Sequence, residues 1–182
     1  MKITQIRAIS RDVKIFGAGY RVPVYQWGGA FDAVIGYSDV NSGTVQDLFA
    51  VSGSGTILGA RYTQILPRLE AYEHKFVAGW DRRAFQQNVS LVGTTGTLVP
   101  DITIRPLQFA YSGRLSRVGS DFSLNASYSH NLPGGQDGSQ DAFTAQRAGA
   151  PANYSLCRFG AAWTQALPED FLLRAAFNSQ YT

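Results

Sequence analysis

Apolar and polar residues alternate with a period of two along most of this sequence, and they never run together into a long apolar block. The clearest case is AYEHKFVAGWDRRAF, residues 71–85. One alternate set is Tyr72, His74, Phe76, Ala78 and Trp80; the other is Glu73, Lys75, Val77, Gly79, Asp81 and Arg83. Successive side chains of a β-strand point to opposite faces, so this segment makes a strand with one aromatic face and one charged face. The same alternation marks Val13 to Tyr25, the segment from Phe31, Thr56 to Leu66, Ile102 to Leu115, and the segments from Asp121, Tyr154 and Ala175. Eight strands follow, with no helical period between them. The pattern predicts an all-β chain.

A half-buried strand of a soluble sheet would alternate in the same way, so the connections and the chemistry of each face have to separate water from lipid. The connections run short (QWGG, about 26–29), long (39–55), short (PRLE, 67–70), long (86–101), short (116–120), long (131–153) and short (PED, 168–170). Such regularity marks an antiparallel up-and-down transmembrane β-barrel, with tight turns at one rim and longer loops at the other. A Greek-key sandwich has no reason to alternate so strictly. Tyr20, Tyr37, Tyr62, Tyr72, Trp80, Tyr111, Tyr128, Trp163 and Tyr181 all fall on the apolar faces, as aromatic girdles at the headgroup level would require. The opposite faces carry the candidate lumen-lining set: Arg21, Arg61, Glu73, Lys75, Asp81, Arg83, Arg114, Arg158, Arg174 and Gln180. Charge at membrane depth is tolerable only toward water or a countercharge. Ala78 is accordingly expected to face lipid and Gly79 the lumen, with arginine costing far less at 79, short of a steric penalty. A cysteine at 81 is expected to react with a water-soluble maleimide, and one at 76 to be protected.

Composition narrows the function. No stretch approaches the roughly 18–20 apolar residues of a transmembrane helix, and mean hydropathy is −0.11. That excludes a helical membrane protein and leaves a barrel open. Net charge is +3, from thirteen arginines and three lysines against 13 acidic residues, scattered at strand-like intervals without a basic cluster. Nucleic-acid binding is not expected. Cys157 is the single cysteine, and His74 and His130 lack metal-ligand spacing, so neither an internal disulfide nor a metal site is expected. Gly53 to Gly59, GSGTILG, precedes a strand and lacks a GK[ST] ending, unlike a phosphate loop. Ser129 and His130 are neighbours on one strand and point apart, so they cannot act as nucleophile and base. No catalytic residue or cofactor is assigned, and the chain is not read as an enzyme.

The amino terminus, MKITQIRAISRDVK, has neither an apolar core nor a small-residue cleavage site of a signal peptide. With eight strands and short turns on the periplasmic side, the first strand would begin outside and the last end outside. A complete small barrel keeps both termini inside, so an internal piece of a larger barrel is expected.

In this order, RDVKIFGAGYRVPVY, IGYSDVNSGTV, FAVSGSGTILGARYTQ, YEHKFVAGWDRR, SYSHNLPGG and LLRAAFNSQYT resemble the barrel of the two-partner-secretion translocators. These are the haemolysin secretion/activation proteins of the Omp85 superfamily, and the resemblance covers roughly residues 7–182. It implies residence in the bacterial outer membrane, in contact with its lipid, and about half of a sixteen-stranded barrel. It also implies type V export of one large haemolysin or adhesin partner, unfolded in transit. Two POTRA domains would precede this piece, and a VRGY-type loop would lie beyond Thr182, so the arginine of that loop and its aspartate partner are not assigned here. Two alternatives remain: an Omp85-type insertase or general porin, and a soluble β-sandwich that binds a ligand.

Overall fold

The structure, a computed structural model, describes residues 2–9, 13–45, 49–91 and 99–182. They form one antiparallel sheet whose strands follow chain order: β1 (Lys2–Ile9), β2 (Val13–Val24), β3 (Gly29–Val45), β4 (Phe49–Ile65), β5 (Tyr72–Leu91), β7 (Pro106–Arg117), β8 (Ser120–Asn131), β9 (Ser155–Ala166) and β10 (Leu172–Tyr181). The short β6 (Ile102–Ile104) pairs with the far end of β5. The sheet is unclosed, and every neighbour is the next strand in sequence. An all-β, up-and-down architecture is what the alternation predicts.

Three details differ from the sequence reading. Lys2–Ile9, which lies before the eight expected strands, pairs with Lys14–Arg21 as β1. The path therefore has nine strands rather than eight, and its first strand starts at the short-turn end, opposite to the expectation. The long connections at 39–55 and 86–101 are mostly strand, because β3 runs to Val45, β4 starts at Phe49 and β5 continues to Leu91. The tips at 46–48 and 92–98 lie outside the described residues. Beyond the apolar band these strands turn polar on the aromatic side as well, as Asp39 faces Ser54 and Ser54 faces Gln86. Backbone pairing continues into water where no apolar face has to be matched. Finally, the segment 102–115 is split. Arg83 pairs with Ile104 and Trp80 with Leu107, so the register is continuous, but Pro106 has no N–H to give to the ladder.

Among the described residues no second layer of strands or helices covers either face. Among the described residues the buried hydrophobics are Ala30, Phe143 and Ala152. The accessible surface is 12603 Å², against about 8,600 Å² for a compact monomer of 19.8 kDa. A soluble sandwich would have a second sheet over the aromatic face, and none is present among the described residues. None of the described helices is long and apolar enough to cross a membrane.

Candidate functional site

Strand register decides which side chains share a face. Arg21 pairs with Asp32, Asp32 with Arg61, Arg61 with Gly79, and Gly79 with Gln108. Farther along, Glu73 pairs with Arg114, Lys75 with Ser112, Asn125 with Gly160, and Arg158 with Gln180. Together with Asp81, Arg83 and Arg174, all ten residues singled out in the sequence fall on one side of the sheet. The girdle aromatics fall on the other, with Tyr62 opposite Ala78, Phe109 opposite Tyr128, and Trp163 opposite Phe122.

The charged face is a set of local pairs around one dense centre. Asp81 is only 2% exposed, and Arg61 Nη2 donates to both of its carboxylate oxygens at 3.1 Å. Arg83 Nη2 donates to the same carboxylate at 2.8 Å. The neighbouring glycine makes this cluster possible: a Cβ on Gly59 would come within 2.6 Å of Asp81 Oδ1. Around the centre lie weaker, exposed pairs. Arg21 meets Asp32 at 3.3 Å, Arg114 meets Asp121 at 2.7 Å, and Arg158 donates to the Gln180 amide oxygen at 3.0 Å. Glu73 pairs with Arg68 of the β4–β5 turn at 3.3 Å. Lys75 and Arg174 are exposed on the same face.

Two expectations change at this resolution of detail. Gly79 is on the charged face but is not open water, because a Cβ there would lie 2.9 Å from Arg61 Cγ. Arginine at 79 would displace Arg61, so it is not the benign substitution that alternation suggests. Position 81 is likewise enclosed by two guanidinium groups and is a poor labelling site.

Residues the sequence reading passed over complete the picture. Asp32 and Asp121 supply countercharges, and Asn131 closes the rim. Asn131 is fully buried; its Oδ1 accepts from the Arg105 backbone N–H, and its Nδ2 donates to the Ala152 carbonyl, both at 2.6 Å. Asp32 was legible from period-two spacing, as it precedes Ala33 of the apolar set. Asn131 was not, because its role depends on a loop returning beside it. On the aromatic side, Tyr72, Tyr111 and His74 form a chain of hydrogen bonds, with O–O 2.7 Å and O–Nδ1 3.1 Å, that ends where His74 Nε2 donates to the Pro67 carbonyl at 3.0 Å. Among the described residues no group of His, Cys, Asp or Glu is placed to hold a metal ion.

No family model and no curated protein matches the sequence. In fold the chain is similar to CdiB from Escherichia coli, with a TM-score of 0.69 over 93% of this chain at 13% identity. The match covers 31% of CdiB, so the chain spans about a third of that protein's length. The likeness is one of architecture: an up-and-down antiparallel sheet like that of the CdiB barrel.

Proposed function

We propose that this chain is part of an outer-membrane β-barrel through which one large secreted partner, a haemolysin or adhesin, passes unfolded in two-partner secretion. The observation that carries this reading is the contrast between the two faces of a single uncovered sheet. One face exposes Phe16, Phe31, Phe109, Phe159, Phe177 and their aliphatic neighbours as one continuous apolar surface. Soluble monomers rarely expose more than a few hundred Å² of contiguous apolar surface. The other face holds paired charges, which need water. On β5 the apolar band runs from Tyr72 to Trp80, about 26 Å along the strand at roughly 3.3 Å per residue, which at a tilt of about 40° spans roughly 20 Å of the roughly 25 Å apolar band of an outer-membrane barrel.

CdiB, whose fold this chain shares, is a two-partner-secretion translocator of the outer membrane. In the same role, a lumen of scattered ion pairs with a surplus of basic side chains would keep an extended chain hydrated and bind it only weakly, at many places, so that it can leave. Translocation would draw on the partner folding outside and needs no cofactor. The chain would supply part of a sixteen-stranded barrel, with POTRA domains encoded upstream, a VRGY-type loop downstream and the partner's gene alongside.

Cysteine accessibility in the full-length protein tests the orientation. In intact outer membranes Asn125→Cys should react with a water-soluble maleimide, and Phe159→Cys should stay protected until detergent is added. Reversal of that pattern would overturn the lipid-outside reading. If deleting the gene leaves secretion of the neighbouring partner intact, the transport role falls, and an insertase or porin role takes its place.

A further inference from the structure

The β8–β9 connection is a built object. The carbonyl of Pro100 accepts from Gln146 Nε2 at 2.6 Å, and Ser139 caps the short helix α1 (Gln140–Gln146) by accepting from the Ala142 N–H at 3.3 Å. Gln140 ties the returning strand, donating to the Ala150 carbonyl and accepting from the Ala152 N–H, both at 2.9 Å. Two latches fix this loop to the sheet. Asn131 joins the ends of β6, β8 and β9 as described above. Arg105, released from the ladder by Pro106, donates through Nη1 to the Gly134 carbonyl. Gly138 passes so close that a Cβ there would lie 3.0 Å from the Thr103 carbonyl.

Arg105 lies opposite Arg82 in the continuous register, on the aromatic side, so the turn it holds at Gly134 sits at that edge of the sheet, while the helix leans to the charged side. Asn131, which pairs with Pro106, shares its parity with Ser129 and Gln108 and therefore belongs to that face. Its backbone N–H donates to the Tyr154 carbonyl at 3.0 Å, which continues the β8–β9 pairing and puts Tyr154 on the same face. Burial raises the pKa of the Tyr154 phenol, and the positive charge of Arg83 offsets part of that rise. Phe143 of α1, itself buried, packs its ring 6.3 Å from that of Tyr154.

We propose that this latched loop is a fixed constriction that sets what passes along the charged face. The inference rests on the pore reading given above. A helix with its side chains is about 10 Å across, comparable to the room one extended chain needs between packed layers. A cap of that width, held at the long-loop end against Tyr154, would narrow the mouth on the charged side.

Single-channel conductance of the full-length protein in planar bilayers tests this, with trypsin cleavage after Arg147 as a separate readout of loop release. Arg105→Ala should make Arg147 more cleavable and raise the conductance, on the order of twofold if the loop occupies a large part of the mouth. Replacing residues 136–149 by a short Gly-Ser linker should raise it at least as much and does not depend on how Arg105→Ala folds. If the linker variant conducts like the wild type, or if Arg147 becomes cleavable without any change in conductance, the loop is no constriction and the proposal fails while the pore reading stands. If no variant, including the linker variant, conducts at all, the pore reading itself fails and takes the constriction with it.

Discussion

At the scale of single residues the cluster of Arg61, Asp81 and Arg83 organises the charged face. Asp81 is enclosed, and its two partners are part-exposed, so the carboxylate is the member that cannot be removed cheaply. Asp81→Asn leaves two guanidinium groups facing each other across a neutral amide. Breaking a buried pair from one side costs about 3 kcal/mol, and the partial exposure of both arginines places this case at or below that figure. The expected outcome is a lower unfolding midpoint in detergent, read from the heat-induced mobility shift of the barrel on a gel. Gly59→Ala should act in the same direction through crowding, because its Cβ would meet the carboxylate at 2.6 Å. A variant with Asp81 and Gly59 both changed should cost less than the sum, since they damage one contact. Sequence spacing put all three charged residues on one face. It could not say that Arg61 reaches across Gly79 to find Asp81, because that depends on the register between two strands.

At the scale of elements, the break between β6 and β7 decides how the rim is closed. Pro106 removes one ladder hydrogen bond, and the free backbone of Arg105 is taken up at the end of β8: its N–H by Asn131 Oδ1 and its carbonyl by the Leu132 N–H at 3.0 Å. Asn131→Ala would orphan a buried N–H and the Ala152 carbonyl together, each worth about 1–3 kcal/mol when left unsatisfied. The loss should be local. Trypsin should cut after Arg147 faster, while the β2–β5 region keeps its hydrogen-exchange protection. Asn131→Asp restores only the acceptor and should rescue part of the effect. Nothing in SHNLPGG distinguishes this asparagine from an ordinary turn residue, and its partners lie 26 and 21 positions away.

At the scale of the whole molecule, the two faces differ in the solvent they require. Phe159→Arg would place a charge in the apolar band, where an arginine costs roughly 2–4 kcal/mol near the bilayer midplane. Asn125→Arg, one strand away and on the charged face, should cost far less. Assembly of the full-length protein into the outer membrane, followed by surface protease accessibility, reads the difference. Equal assembly of both variants would mean that the aromatic face does not meet lipid. The pair replaces a comparison of positions 78 and 79, since Arg61 already fills the space beside Gly79.

The sequence by itself determined the strands, their up-and-down order and the sorting of side chains into two faces, because a period of two is a local property that survives any register. It also sorted the ten charged or polar residues onto one face, which the strand register gives as well. It did not reveal β1, because Lys2–Ile9 lies outside the alternating segments that define the eight strands. It also overestimated the loops, because polar strands beyond the apolar band look like loops when only hydrophobicity is read. Tertiary structure alone decided which charges neutralise one another, which glycines are occupied by a neighbour, and that the segment from Leu132 to Tyr154 is an anchored loop with a helix rather than a free one. Those are outcomes of register and chain return, and both are set by contacts between residues far apart in sequence.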